Sequence, residues 1–98
     1  MDLSSLRYAI TLAEELHFGR AAQRHYISAQ PFGRHIQNLE RELGIRLFER
    51  TSRRVTVTPV GARVLAEARA IVDAVDALTD SHRWAESGEA GTLAGSCG

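Results

Sequence analysis

A mainly helical fold, with three helices closed by a short β-hairpin and followed by one long helix, is what this 98-residue sequence predicts. Three observations lead to it. Apolar residues recur at spacings of three and four up to Leu43. The period then switches to alternation in IRLFER and VTVT. From Pro59 the helical period returns and runs to about Ala85. A period near 3.6 marks one buried helix face, and a period of two marks a half-buried strand.

The first helix is read from Leu6, Ala9, Ile10, Ala13 and Leu16, with Asp2 or Ser4 as its cap and an end near His17. The second is about two turns long, holds Phe18, Ala21 and Ala22 on one face, and stops around His25 or Tyr26. Its two alanines allow close helix approach. Ser28 is read as the cap of the third helix and Gly44 as its terminator. The hairpin that follows has a basic tip, Thr51 to Arg54. Thr58 then caps the long helix, with Pro59 at its first helical position. The closing SGEAGTLAGSCG is small and Gly-rich and reads as a flexible tail. The expected organisation is a unit at 1–58, with a helix-turn-helix at about 18–37, then a linker helix at 59–86 and a tail at 87–98.

Formal net charge is zero, but it is unevenly placed. Residues 20–54 hold eight arginines against three acids, while both flanks are net acidic. A basic centre of this kind is an electrostatic footprint for nucleic acid that the overall charge hides. All 12 basic residues are arginine. Arginine makes bidentate contacts to phosphate and guanine, though a GC-rich codon bias would produce the same usage.

Three helices with a short second-to-third connection and a basic hairpin make a winged helix-turn-helix. On a helical wheel Ile36, Leu39 and Leu43 fall within about 40° of Phe32, and Gln30, Arg34, Gln37 and Arg41 within about 40° of the opposite direction. Glutamine pairs bidentately with adenine and arginine with guanine in the major groove. Gln30, Arg34 and Gln37 are therefore expected nearest the bases, with Gly33 beside them permitting close backbone approach and Arg41 on phosphate. Arg50, Arg53 and Arg54 are expected along the backbone or in the minor groove. Arg20 and Arg24 suit either DNA backbone or ion pairs with Glu14, Glu15 or Glu40. Pro31 falls in the first turn, where no backbone N–H has an intrahelical partner.

The long helix carries a seam of Val64, Ala68, Ile71, Val75 and Leu78, widened by Leu65 and Val72. So broad a stripe exceeds what a domain under 60 residues is expected to cover, which points to a homodimer through this helix and two half-sites on the DNA.

Other chemistries find no constellation. The four histidines lack metal-site spacing, no phosphate loop or G-x-S-x-G is present, and adjacent Glu14 and Glu15 cannot act as a carboxylate pair. No enzyme activity, cofactor or metal is expected. The lone Cys97 makes no internal disulfide. No apolar run nears the roughly 20 residues of a membrane span, and no secretion signal is visible, so a cytoplasmic protein without a membrane partner is expected.

Together LRYAITLAEELHFGRAAQRHYIS and LERELGIRLFERTSRRVTVTPVGARVLAEARAI, with the recognition segment between them, resemble the LysR-type transcriptional regulators, over nearly the whole chain to about Leu78. The resemblance implies a bacterial regulator of the nucleoid that dimerises through its linker helix and binds an interrupted dyad near a promoter. It also implies that the metabolite-sensing effector domain, and with it any small-molecule site, is not in this chain. Such a chain reads as the DNA-binding part alone, or alternatively as a short regulator acting by heterodimerisation. Ala29 and Gln30 stand where the family commonly has Gln then Pro or Ser, Gly33 where it often has Ser, and Gly19 where Thr commonly caps helix two. An altered first turn is expected to change which bases are read.

Overall fold

The computed structural model describes residues 1–86, so the tail expected at 87–98 lies outside the described residues. The elements follow in the order α1 (Leu3–Glu15), α2 (Phe18–Arg24), α3 (Ala29–Leu43), β1 (Phe48–Arg50), β2 (Val55–Val57) and α4 (Pro59–Glu86). This is the winged helix-turn-helix followed by a long helix.

Three of the four helices begin on a side-chain acceptor. Asp2, not Ser4, caps α1, its carboxylate accepting from Ser5 N at 2.9 Å. His17 caps α2, its Nδ1 accepting from Arg20 N at 3.0 Å. A methyl group on Gly19 would sit 3.0 Å from His17 Cε1, so the small residue makes room for the imidazole that replaces the expected hydroxyl cap. Ser28 occupies the N-cap of α3 in extended backbone, but its hydroxyl makes no capping hydrogen bond. Thr58 Oγ1 accepts from Gly61 N at 2.9 Å and donates to Arg46 O at 2.6 Å, so one hydroxyl starts α4 and holds the entry to β1. Gly61 is required there: a Cβ would lie 2.3 Å from Leu47 O.

The helix ends are less regular than the composition suggests. Gly44 closes α3 in the left-handed conformation, φ 71°, donating to Glu40 O and Arg41 O. Leu16 and Tyr26 close α1 and α2 in the same conformation without being glycine, at φ 52° and 59°. After α2, Tyr26 N donates to Gln23 O and Ile27 N to Ala22 O, a Schellman closure. Leu16 is thereby turned outward and exposed, while Leu12, absent from the expected apolar face, is fully buried. Strands β1 and β2 pair antiparallel with Phe48 opposite Val57 and Arg50 opposite Val55. At the tip, Thr51 Oγ1 accepts from Arg53 N and Arg54 N, fixing the turn.

The core gathers Leu6, Ala9 and Leu12 of α1, Ala21 and Ala22 of α2, and Phe32, Ile36 and Leu39 of α3. Leu47 and Phe48 close it from the hairpin. Leu65, Ala68 and Val72 of α4 belong to it as well. These three are among the seven residues expected at a dimer contact, and within the single chain they are buried in its own core. Ile71 and Leu78 stay exposed, at 50% and 70%, and Val75 is half-buried. Arg7 with Asp76 at 2.8 Å and Arg69 with Glu14 at 3.1 Å tie α4 along α1. Beyond that contact α4 projects, and the molecule reaches 57 Å in length against 26 and 19 Å across.

Candidate nucleic-acid interface

The exposed side of α3 is where the wheel placed it. Gln30, Arg34, Gln37 and Arg41 are all exposed, opposite the buried Phe32, Ile36 and Leu39. Among the described residues, Gln30, Arg34 and Gln37 spend no side-chain hydrogen bond on the rest of the chain. Arg41 is held by Asn38 Oδ1 at 2.9 Å, one turn back along the helix.

Beside this face lies an open groove. Phe18 of α2, Ala29, Gln30, Gly33, Arg34 and Gln37 of α3, and Arg50 of β1 line it. Helices α2 and α3 and the hairpin thus meet in one concavity. The Phe18 ring is fixed from two sides: its centroid lies 6.2 Å from Phe32 in a T-shaped contact, and the Arg50 guanidinium sits 5.2 Å above it.

The wing arginines divide into two kinds. Arg53 and Arg54 are exposed at the tip and, among the described residues, have no acidic partner. Arg50 is largely occupied within the protein. Its Nη2 donates to Glu40 Oε1 at 3.2 Å, and its Nε is buried without a hydrogen bond. The other carboxylate oxygen of Glu40 accepts from Leu47 N at 2.8 Å and Phe48 N at 3.1 Å. Glu40 therefore clamps the start of the hairpin to α3. Nothing in the apolar periodicity points to this residue. The available signal was an acid among the eight arginines of the basic segment, one turn from the helix end.

Arg20 and Arg24, left open between DNA and ion pairs, pair with acids here. Arg24 Nη1 reaches Glu14 at 2.7 Å and Glu15 at 3.3 Å, and Arg20 Nε reaches Glu15 at 3.3 Å. Adjacent Glu14 and Glu15 thus do work together, as a receptor for arginines that joins α1 to α2. Hydrogen bonds from Arg24 and then Arg69 hold the Glu14 carboxyl below its usual range.

The turn into α3 contains a polar contact in the core. His25 Nε2 lies 2.8 Å from Thr11 Oγ1, a buried threonine on α1, with the Tyr8 ring edge-on at 4.7 Å. Burial first, then the charges of Arg24 and Arg7, pushes the His25 imidazole below its ordinary pKa. Among the described residues no cluster of three His, Cys, Asp or Glu gathers to hold a metal, and no helix is long and apolar enough to cross a membrane.

An exposed polar helix beside an arginine-tipped hairpin defines the class: a winged helix-turn-helix protein. Comparison with known proteins places it further. The model of the bacterial regulatory helix-turn-helix proteins of the lysR family matches residues 3–62. The chain belongs to the LysR family. It is 45% identical over 93 residues to the uncharacterized HTH-type transcriptional regulator YnfL of Escherichia coli K12, and 43% identical over 93 residues to ClcR of Pseudomonas putida. Each match covers 95% of this chain but only 31% and 32% of the relative, so the chain spans about a third of their length. Among solved structures it is similar to the DNA-binding domain of BenM in complex with catB site 1 DNA. There the TM-score is 0.85 at 40% identity, over 91% of this chain and 99% of that one. It is also similar to the CbnR DNA-binding domain in complex with DNA (TM-score 0.81, 35% identity, 88% and 99% covered). Full-length OxyR of Pseudomonas aeruginosa matches over 91% of this chain and 29% of its own, with 38% identity and a TM-score of 0.80.

Proposed function

We propose that this chain is the sequence-reading part of a LysR-type transcription regulator, acting on double-stranded DNA as a homodimer on two half-sites. The observation that carries the reading is the free face of α3. Gln30 and Arg34 stand exposed and uncommitted in the N-terminal half of the helix, the part that enters the major groove in helix-turn-helix proteins, with Gln37 just past its middle. Arg53 and Arg54, equally uncommitted, serve the backbone or the adjacent minor groove. Residues 1–58 are the reading unit and α4 the linker that pairs two of them. The similarity to the DNA-bound BenM and CbnR domains supports this assignment.

Within the proposed site the arginines take different roles. Arg34 reads, Arg41, Arg53 and Arg54 contact phosphate, and Arg50 positions the wing through Glu40 and Phe18. Arg20 and Arg24 first hold α2 to α1, and their charge adds to the field at the DNA. The test is footprinting on the DNA flanking the chain's own gene, backed by gel shifts at several salt concentrations. Protection of a dyad, with affinity falling steeply as salt rises, is expected. Absence of any salt-sensitive, sequence-dependent binding would overturn the reading and favour a regulator that acts through its protein partners.

A further inference from the structure

We infer that the notch at Gly33 is a receptor for the C5-methyl group of a thymine, with Phe18 as its wall. This rests on the DNA-reading role proposed above and names one base feature that the site selects.

The surface beside Gly33 suits that group. A methyl carbon built on Gly33 would meet Phe18 Cε1 at 3.8 Å and Cδ1 at 3.9 Å and nothing nearer. Those are ordinary van der Waals distances on one side only, so with no side chain at Gly33 the Phe18 ring edge stays open to an apolar group from outside. The fold does not require glycine here: φ is helical, no backbone approaches, and a larger residue would gain helix propensity. Contrast Gly61, where a Cβ collides with Leu47 O at 2.3 Å. An internal reason for Gly33 is therefore lacking, and an external one remains.

The surroundings fit a base edge. Gly33 lies on the flank of the reading face, between Ala29 and Gln37 one turn to either side. Phe18 and Ala29 line the same groove as Arg34 and Gln37, so an apolar group can be received beside side chains able to bond neighbouring bases. In the major groove the thymine methyl is the one apolar feature that a base pair presents, and apolar side chains recognise it. Phe32 and Arg50 hold the Phe18 ring in place, so the wall is preformed.

The experiment uses this chain and a duplex that it selects from a random pool. Each thymine of the selected site is replaced in turn by uracil, which removes the methyl and leaves the pairing and the other groove atoms unchanged. One thymine in each half-site is expected to cost about three- to tenfold in affinity on loss of its methyl, the size expected for burying one such group. Gly33→Ser, which fills the notch, should bind the selected duplex more weakly and should no longer distinguish thymine from uracil at that position. Gly33→Ala provides the same filling without a hydroxyl, and thermal melts of both variants show that the fold is intact. A wild-type chain that binds its site but tolerates uracil everywhere overturns the notch and leaves DNA reading standing. Equal thymine preference in wild type, Gly33→Ser and Gly33→Ala overturns it too. Failure to select any sequence from the pool overturns the notch together with the reading on which it rests.

Discussion

Arg34 and Arg53 carry the same charge, yet the proposed function gives them different tasks. Arg34 projects from the first half of α3 beside two uncommitted glutamines, whereas Arg53 sits at a hairpin tip that can reach only backbone or minor groove. Arg34→Ala is expected to weaken specific binding by ~1–3 kcal/mol and relax base preference at one position. Arg53→Ala should weaken binding to all sequences alike and reduce the slope of affinity against salt. Gel shifts with the selected site and with random duplex separate the two, and equal losses on both DNAs for Arg34→Ala would refute its reading role. Tyr26 is a residue of another kind. It is 95% exposed and held at φ 59°, so its side chain contributes nothing to packing while its backbone is strained. Tyr26→Gly should raise stability by about 1 kcal/mol, read as a higher urea midpoint with unchanged slope. A lower midpoint would mean that the tyrosine ring makes a contact that its exposure denies.

At the scale of elements, the wing and the turn each depend on one polar residue that periodicity does not reveal. Glu40 satisfies Leu47 N and Phe48 N and neutralises Arg50. Glu40→Ala leaves two amides and a half-buried guanidinium without an acceptor, and should cost about 2 kcal/mol. Hydrogen exchange should locate the loosening at the hairpin, with the helices still protected. His25 joins the turn to α1. Its pKa in the folded chain lies below the ordinary 6.5, so the unfolded chain takes up a proton first as pH falls. Its contribution is therefore complete above about pH 6.5 and declines as pH falls from there towards the folded value. The melting temperature should be flat from pH 7 to 8 and drop below 6.5. His25→Leu should flatten that drop until the carboxylates of Asp2, Glu14 and Asp76, all held low by hydrogen bonds, begin to titrate at lower pH. An unchanged pH profile in His25→Leu would place the titration elsewhere.

How much of this was legible varies with the kind of force involved. The helices, the hairpin, the Thr58 cap and the Gly44 stop are local, and local patterns reveal them. The stops near His17 and around His25 or Tyr26 are legible as well, but the left-handed backbone of Leu16 and Tyr26 is not, because glycine is its usual signal and these residues are not glycine. The reading face of α3 followed from the wheel, since its inner side is fixed by Phe32, Ile36 and Leu39. The groove beside it did not, because Phe18, Gly33 and Arg50 come from three elements and only the tertiary fold brings them together. The same limit applies to α4, where a stripe tells which residues share a face and not what covers it.

That limit decides what a dimer can use. With Leu65, Ala68 and Val72 in the core and Val64 packed against it, the seam left for a second chain is Ile71, Val75 and Leu78, at spacings of four and three along α4. Ile71 and Leu78 are 50% and 70% exposed, so charging them removes little internal packing. Ile71→Asp with Leu78→Asp should leave the melting temperature of the reading unit nearly unchanged, while sedimentation shows the dimer converted to monomer. DNA binding should fall to the affinity of a single half-site and lose its dependence on half-site spacing, because two reading heads no longer act as one ligand. Leu65→Ala should behave in the opposite way. It opens a cavity between α1 and α4 and costs about 2–5 kcal/mol of stability, with the association seam untouched. If the double aspartate variant remained dimeric, the second chain would have to pack elsewhere. The apolar groove lined by Ala13, Val57, Ala62 and Leu65 would then be the surface to vary next.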